Sequence, residues 1–281
     1  MEILRTCAEL REWSRQERND GGNTIGIVPT MGALHAGHAS LIRAAHNSVG
    51  FVAVSIFVNP TQFGPHEDFA RYPRSFGADC ALAKAEGADV IFAPSVEEMY
   101  PAGAATFVEV AGLSDRLDGK SRPGHFRGVA TVVAKLLIAS EADRAFFGQK
   151  DAAQVWVLRR MVADLRLATE IVVCPIVREP DGLALSSRNV YLSPSERAQA
   201  LALSRAIRKA EELFASGERR ADLLIAAAKE ILADELAIRI DYIELVDWAT
   251  LAPLENAGPG NLFAVAAWVG ATRLIDNTVF E

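Results

Sequence analysis

The feature that most constrains the fold is a regular alternation of short apolar runs with amphipathic segments over the first two-thirds of the chain. Apolar runs of strand length begin at residues 24, 51, 88, 144 and 169, and helical patterns lie between them. Most of these runs are apolar at consecutive positions, as strands buried on both faces require. The alternation therefore predicts an α/β fold in which a parallel sheet carries helices on both faces.

The sequence pattern changes near Ser193. The letters "SPSE" form a capping box, with Ser193 at the N-cap, Pro194 at the first helical position and Glu196 three residues on. Two helical patterns follow, up to about Leu236, and then three strand-like runs. We therefore predict a Rossmann-like unit at 1–177 and a smaller C-terminal α+β domain at 178–281, with the boundary between about Val177 and Ser193.

Composition and charge exclude several classes of protein. The 281 residues are 50% hydrophobic and 23% charged, and the formal charge of −7 argues against binding nucleic acid by bulk electrostatics. The three cysteines form no CxxC pair, which favours a reducing cytoplasm over a disulfide framework or a thiolate zinc site. No apolar run approaches the ~20 residues that span a bilayer, and we expect neither a membrane segment nor a signal peptide.

The stretch "PTMGALHAGHASL" places His35 and His38 at a strand-to-helix junction. A metal site is one interpretation, but His46, His66 and His125 have no ligand-like spacing to this pair. Two histidines that cap or pack are a second interpretation. A phosphate site is better motivated, because a helix N-terminus offers free N–H groups, glycines allow close approach, and imidazoles add donors that can be cationic.

Other polar residues follow the later strands. Gln62, after Pro60, could hydrogen-bond a small hydroxy acid or simply face solvent. The glycine-broken loop "GKSRPGHFRG" forms a basic cluster that could close over an anion or be a solvated charged loop, and its members are Lys120, Arg122, His125 and Arg127. Because strand ends meet at one edge of a parallel sheet, these groups are candidates for a common site.

Two more segments complete the candidate site. "FGQKDAAQ" joins a strand to a helix, and its Lys150 is a point charge suited to phosphate, whereas Asp151 could cap the helix and Gln154 lies on the same side. "LALSSRN" places two serines and Arg188 where they could close over a triphosphate. A Walker loop, a GxGxxG fingerprint and a GxSxG elbow are absent.

Five segments occur in one order: "PTMGALHAGH", "SIFVNPTQF", "RPGHFRGVATVV", "FGQKD" and "LALSSRN". Together they resemble pantothenate synthetase, the pantoate–β-alanine ligase family of the HxGH nucleotidyltransferase superfamily, from Ile25 to the C-terminal "TRLIDN". The resemblance implies ATP-dependent condensation of (R)-pantoate with β-alanine to pantothenate, a coenzyme A precursor, through a pantoyl adenylate, with release of AMP and pyrophosphate. It also implies Mg²⁺ with the ATP, and a cytoplasmic homodimer.

The resemblance also assigns roles to residues. It implies a proton-donor role for His38, catalytic roles for His35, Lys150 and Arg188, and a lid role for the second domain. Pantoate would contact Gln62 and Gln154, and Gln62 also lies near the β-alanine site of the family. ATP would contact Met31, Gly32, Ala33, Leu34, His35, Ala36, Gly37, His38, Gly148, Gln149, Lys150, Asp151, Val177, Leu185, Ser186, Ser187 and Arg188.

One departure and two alternatives accompany this resemblance. Ala153 stands where family members often carry a glutamine, so any supporting role of that side chain would be lost. The magnesium ligands stay unassigned, with Asp79 a candidate by position. A related adenylyltransferase with another acceptor, such as a nucleotide or phosphopantetheine, is the runner-up, and a catalytically silent nucleotide-binding protein is the third reading.

Overall fold

The computed structural model describes residues 1–19, 22–65 and 67–281. His66, weighed above as a metal ligand, lies outside them. The first part of the chain contains β1 (Glu2–Leu4), α1 (Cys7–Asn19), β2 (Ile25–Thr30), α2 (Ala36–His46), β3 (Phe51–Ile56), α3 (Phe76–Ala85), β4 (Val90–Phe92), α4 (Val96–Met99), α5 (Asp118–Ser121), α6 (His125–Ser140), β5 (Arg144–Gly148), α7 (Ala152–Asp164) and β6 (Glu170–Cys174). The second part contains α8 (Pro194–Ala215), α9 (Ala221–Ala233), β7 (Ile238–Val246), β8 (Leu262–Val269) and β9 (Thr272–Val279).

The first six strands form one parallel sheet in the order β1-β4-β3-β2-β5-β6. From β2 the chain proceeds outward through β3 to β4, and it then crosses to the other side of β2 to form β5 and β6. The strand order therefore reverses between β2 and β5. In open α/β sheets the crevice beyond the carboxyl ends at such a point is where ligands bind.

Successive residues of the central strands pack into different hydrophobic cores. Ile27 and Phe147 belong to a core with α1, α6 and α7, whereas Val28 and Phe146 belong to a core with α2 and α3. Because neighbouring side chains on a strand point to opposite faces, the two cores lie on opposite sides of the sheet. The prediction of a parallel sheet with helices on both faces is confirmed.

The last three strands form an antiparallel sheet in the order β7-β8-β9. Phe263 and Val265 of β8 pack in a core with α8 and α9, whereas Leu262 and Ala264 pack in the core that contains α1, α6 and α7. This sheet therefore has the two helices on one face and the parallel-sheet unit on the other, and the predicted α+β architecture is confirmed. The domain bounds at 177 and 178 stay a prediction.

Two parts of the structure differ from the sequence expectations. No element was predicted for the N-terminus, yet it forms β1 and α1, whose buried residues include Leu10 and Trp13. Helix α6 begins at His125, within the glycine-broken stretch described above as a loop, after Gly124 in a left-handed conformation with φ +81°. None of the described helices is both long and apolar enough to cross a membrane.

Candidate active site

A cleft of about 220 Å³ lies at the carboxyl ends of β2 and β5. It brings together most of the predicted site residues: Met31, His35, Gly37, His38, Gln62, Gly148, Lys150, Asp151, Gln154, Val177, Leu185, Ser186, Ser187 and Arg188. Five predicted ATP contacts are not among its lining residues, and these are Gly32, Ala33, Leu34, Ala36 and Gln149. The candidate residues thus converge from four strand-to-helix or boundary segments onto one concave surface.

His35 and His38 cap helix α2 reciprocally. The Nδ1 atom of His35 accepts a hydrogen bond from the Gly37 amide at 3.1 Å, and the Nδ1 atom of His38 accepts one from the His35 amide at 3.4 Å. The two rings lie 4.2 Å apart between centroids. Since each Nδ1 is an acceptor, these bonds assign the neutral proton to Nε2 of each ring. The pair therefore has two Nε2–H donors available for a ligand.

Both imidazoles are neutral at pH 7 in this structure. Burial lowers the pKa of His35 to about 4, and the charge of Lys150 contributes in the same direction. Burial also lowers the pKa of His38 to about 3, with smaller contributions from His35 and Lys150. The cationic imidazole considered from the sequence is thus not the form that these surroundings favour, and a hydrogen-bond donor is the better description.

The turn before α2 uses side chains of the protein to satisfy its amides. Asp79 accepts hydrogen bonds from the amides of Ala33 (3.0 Å) and Leu34 (2.8 Å) and from the Ser75 hydroxyl (3.0 Å). Together with the histidine caps, these bonds occupy several backbone donors that were expected to bind phosphate. Asp79 is 2% exposed and does not line the cleft, which argues against it as a magnesium ligand.

Gln62 is held from two sides. It ends a short 3-10 helix (Pro60–Gln62), and its Oε1 accepts from Asn59 Nδ2 at 2.9 Å, which leaves its NH₂ group as the donor for a ligand. Asn59 is 1% exposed and also accepts from Tyr100 Oη at 2.8 Å. A Cβ at Gly128 of α6 would lie 2.3 Å from the Thr61 carbonyl oxygen, so glycine is required for this close packing.

The basic cluster of the sequence separates into two pairs. Lys120 and Arg127 are exposed, whereas Arg122 and His125 point inward. Arg122 makes a bidentate ion pair with Glu67 at 2.6 Å and contacts His125 Nε2 at 3.0 Å, and His125 Nδ1 donates to the Gln62 carbonyl oxygen at 2.9 Å. Within the part of the chain that the structure describes, the inward pair thus lines the cleft and supports Gln62, and Arg122 already has a carboxylate partner.

His125 gives a testable pH dependence of stability. Burial and the neighbouring Arg122 lower its pKa to about 4, below the 6.5 of an unfolded histidine. Between these values the unfolded chain binds a proton that the folded chain does not, so stability falls as the pH falls. Comparing wild type with His125→Gln by urea unfolding from pH 6.5 to 5 should show a slope shallower by up to about 1.4 kcal/mol per pH unit in the variant. Equal slopes would contradict a neutral buried His125. At pH 7.5 residue 125 is neutral in both proteins, so the difference between their free energies of unfolding at that pH serves as the reference.

Lys150 lies in another 3-10 helix (Gln149–Asp151), at the end of β5. The side-chain amide of Asn277, on β9, donates to the carbonyl oxygens of Gln149 (3.0 Å) and Lys150 (2.9 Å). The Nζ atom of Lys150 is 3.8 Å from Asp151 Oδ1. Asp151 stands at the N-cap position of α7, as the sequence suggested, but its side chain makes no capping hydrogen bond, and its carboxylate lines the cleft.

The segment before α8, residues 185–188, forms another wall of the cleft. Ser186 Oγ accepts from the Arg188 amide at 3.2 Å and so caps the 3-10 helix Ser187–Tyr191. The Arg188 guanidinium forms a bidentate pair with Asp68 at 2.9 and 3.0 Å, and Tyr72 Oη lies 3.3 Å from Ser187 Oγ.

Three residues with roles at this site were missed from the sequence. Asn59 had a local signal, since it follows a buried strand directly and precedes Pro60. Asp68 and Asn277 had none, because their partners Arg188 and Lys150 lie 120 and 127 positions away in the chain. Only the folded structure brings these groups into contact.

Comparison with known proteins relates this geometry to a family. The family model described as pantoate-beta-alanine ligase matches residues 2–279. The pantothenate synthetase of Acidobacterium capsulatum is 62% identical over 289 aligned positions, covering 99% of this chain and 97% of the relative. That of Koribacter versatilis is 55% identical, covering 100% of this chain and 96% of the relative.

Solved structures give the same result. The pantothenate synthetase of Thermus thermophilus is 46% identical and has a TM-score of 0.95, with 100% of both chains covered. The pantoate–β-alanine ligase of Francisella tularensis, solved with beta-gamma ATP and β-alanine, is 34% identical and has a TM-score of 0.80, covering 99% of this chain and 97% of that chain. On this combined evidence, the chain belongs to the pantoate–β-alanine ligase family.

Proposed function

We propose that this chain condenses (R)-pantoate with β-alanine at the expense of ATP, through a pantoyl adenylate, and releases AMP and pyrophosphate. The observation that carries the proposal is the convergence of two Nε2–H donors, one lysine and two glutamines on a single cleft. The relative from Francisella tularensis, solved with beta-gamma ATP and β-alanine, supports ATP and β-alanine as substrates.

In the first step, a carboxylate oxygen of pantoate attacks the α-phosphorus of ATP. The bond from that phosphorus to the bridging oxygen breaks, and pyrophosphate leaves with the electron pair. Negative charge thus builds on the leaving group beside His35, His38 and Lys150. Donors that are already oriented toward this charge cost no reorganisation, and one of them can lower the barrier by about 3 kcal/mol.

The neutral state of the histidines refines the proton-donor role that the resemblance assigns to His38. A neutral Nε2–H can stabilise the departing oxygen by a hydrogen bond without giving up its proton. Arrival of the tetra-anionic triphosphate raises the pKa of a nearby imidazole, so the bound state favours protonation more than the free state does. Burial lowers the pKa of both imidazoles in the free protein, so this increase acts on both of them.

Gln62 and Gln154 suit the binding of pantoate. Their amides hydrogen-bond hydroxyl and carboxylate groups without adding charge, and Gln62 presents its NH₂ group because Asn59 occupies its oxygen. Ala153, where relatives often carry a glutamine, is 2% exposed and packs in the core, so this departure removes no group from the cleft. Holding the weak carboxylate nucleophile in line with phosphorus supplies much of the rate.

In the second step, the neutral amine of β-alanine attacks the acyl carbon of the adenylate. The bond between that carbon and the phosphate oxygen breaks, AMP leaves with the electron pair, and the new amide nitrogen loses a proton. The adenylate must be kept from water until then. We propose that residues 178–281 act as the lid, and that Arg188 contacts the phosphates from that side.

The fit of Mg²⁺ rests on one carboxylate of the cleft. In the described residues no group of three or more metal-ligating side chains is present. Asp151 is the acidic residue in the lining, and Mg²⁺ in nucleotide sites is held by one or two carboxylates with the substrate phosphates. We propose that Asp151 contacts the Mg²⁺ of MgATP, which when bound neutralises part of the phosphate charge.

A cytoplasmic homodimer belongs to the same proposal, and light scattering of the purified protein tests whether it is a dimer.

Product analysis tests the proposed function. Purified protein with ATP, Mg²⁺, pantoate and β-alanine should form pantothenate, AMP and pyrophosphate in equal amounts, detected by mass spectrometry and phosphorus NMR. Omitting pantoate should stop pyrophosphate release. A dinucleotide-like product without free AMP would instead identify an adenylyltransferase with another acceptor, and ATP binding without any product would identify a silent nucleotide-binding protein.

A further inference from the structure

The turn between β2 and α2 contains two consecutive residues in the left-handed region. Gly32 has φ +81° and Ala33 has φ +50°. The left-handed conformation is energetically unfavourable for a residue that has a side chain, such as Ala33, so other contacts must compensate for it. Successive amides in such a turn point into a common concavity that binds anions. The turn thus has an anion-binding nest of its own, directly before His35.

The occupant of this nest is a side chain of the same protein. The two carboxylate oxygens of Asp79 accept from the Ala33 amide at 3.0 Å and the Leu34 amide at 2.8 Å, and the Ser75 hydroxyl donates to the carboxylate at 3.0 Å. A Cβ at Gly32 would approach Asp79 Oδ2 to 3.0 Å, so the carboxylate sits tightly against the turn. Asp79 lies in the first turn of α3, where a helix favours negative charge.

We propose that Asp79 is a positioning residue for the ligase reaction, because it fills the nest of the Gly32–Leu34 turn and thereby fixes where His35 and His38 face the phosphates. The inference rests on the proposed function for its kinetic consequence. His35 follows the braced turn directly and is the N-cap of α2, and its amide holds the His38 ring at 3.4 Å. Displacement of the turn therefore moves both Nε2–H donors together.

This role differs from that of a magnesium ligand, which the position of Asp79 in the sequence had suggested. A carboxylate with three protein donors and 2% exposure has little capacity left for a cation. If Asp79 were a ligand to Mg²⁺, its replacement would make the activity depend on the Mg²⁺ concentration. A brace of the turn would alter the imidazoles themselves, whether or not metal is present.

The test compares Asp79→Asn with Asp143→Asn. Asp143 accepts from the Ile25 amide at 2.7 Å at the opposite end of the same strand β2, away from the cleft, so it controls for the loss of one anchoring carboxylate. For Asp79→Asn we expect kcat to fall about 100-fold, the effect of a displacement of roughly 1 Å, with the KM for pantoate little changed. Asp143→Asn should keep the wild-type kcat even if its melting temperature falls as much as that of Asp79→Asn.

A second readout is independent of activity. In ¹H–¹⁵N spectra of the imidazoles at pH 7, Asp79→Asn should shift the signals of His35 and His38, and Asp143→Asn should leave them in place. If Asp79→Asn does not fold, Ser75→Ala, which removes one donor to the carboxylate, should produce smaller shifts of the same two signals. These spectra test whether Asp79 positions the two histidines, and they do not depend on activity. A wild-type protein without pantoate-dependent activity would overturn the proposed function but not this inference.

Two results would overturn the inference. Recovery of Asp79→Asn activity at high Mg²⁺ would show a metal ligand. Unchanged imidazole signals, with kcat reduced equally in both variants, would show that Asp79 contributes only general stability.

Discussion

His38→Asn should lower the rate of adenylate formation by about 100- to 1,000-fold and leave the KM for ATP little changed. The asparagine oxygen can replace Nδ1 as the acceptor for the His35 amide, so the cap of α2 is kept. The substitution removes the Nε2–H donor that we propose for the pyrophosphate leaving group. Single-turnover formation of pyrophosphate from ATP and pantoate, followed by rapid quench, measures this step alone.

The matched control is His46→Asn. His46 is the last residue of the same helix and is exposed outside the cleft. Its replacement should leave the single-turnover rate at the wild-type value. A His38→Asn enzyme with a rate near wild type would show that His38 only caps the helix, the packing interpretation that the sequence had left open.

Gln62→Glu should raise the KM for pantoate by about 10- to 100-fold, the range of roughly 1 to 3 kcal/mol for a lost interaction with a charged group. The two side chains have the same shape, and the new carboxylate can still accept from Asn59 at the position of Oε1. It loses the NH₂ donor and places a negative charge against the carboxylate of pantoate. Steady-state kinetics with pantoate varied at saturating ATP measures the effect.

Gln199→Glu is the control for the added charge. The Oε1 atom of Gln199 likewise accepts a protein hydrogen bond, from the Ala237 amide at 2.8 Å, but this pair lies in the second part of the chain, away from the cleft. We expect its pantoate KM to equal that of wild type. If Gln62→Glu instead changed only the KM for β-alanine, the assignment of Gln62 to pantoate would be wrong.

The sequence predicted the parallel sheet because β2, β3, β5 and β6 are short apolar runs separated by helical patterns, as burial on both faces demands. It also placed His35, Gln62 and Lys150 at one edge, since parallel strands present their carboxyl ends together. The N-terminal strand β1 was missed because three residues carry too little pattern to recognise. Helix α1 was missed because it is rich in charge and buries few apolar residues, Leu10 and Trp13 among them.

Contacts between distant segments set the limits of prediction at the site. Asn277 fixes the turn that carries Lys150, and Asp68 pairs with Arg188, yet no local pattern marks either residue. The neutral, Nε2-protonated state of the two histidines could not be predicted from the sequence either, because it follows from burial and from the hydrogen bonds that each Nδ1 accepts. The helix amides were expected to bind phosphate, whereas Asp79 and the histidines themselves occupy several of them.

The acyl adenylate is the central claim, and transfer of isotope from pantoate to AMP tests it most directly. Pantoate labelled with ¹⁸O in its carboxylate is incubated with ATP, Mg²⁺, β-alanine and the enzyme, and the AMP formed is analysed by mass spectrometry. Attack of the carboxylate on the α-phosphorus predicts one ¹⁸O atom in each AMP and none in pyrophosphate. Unlabelled AMP, or label in inorganic phosphate, would contradict the account.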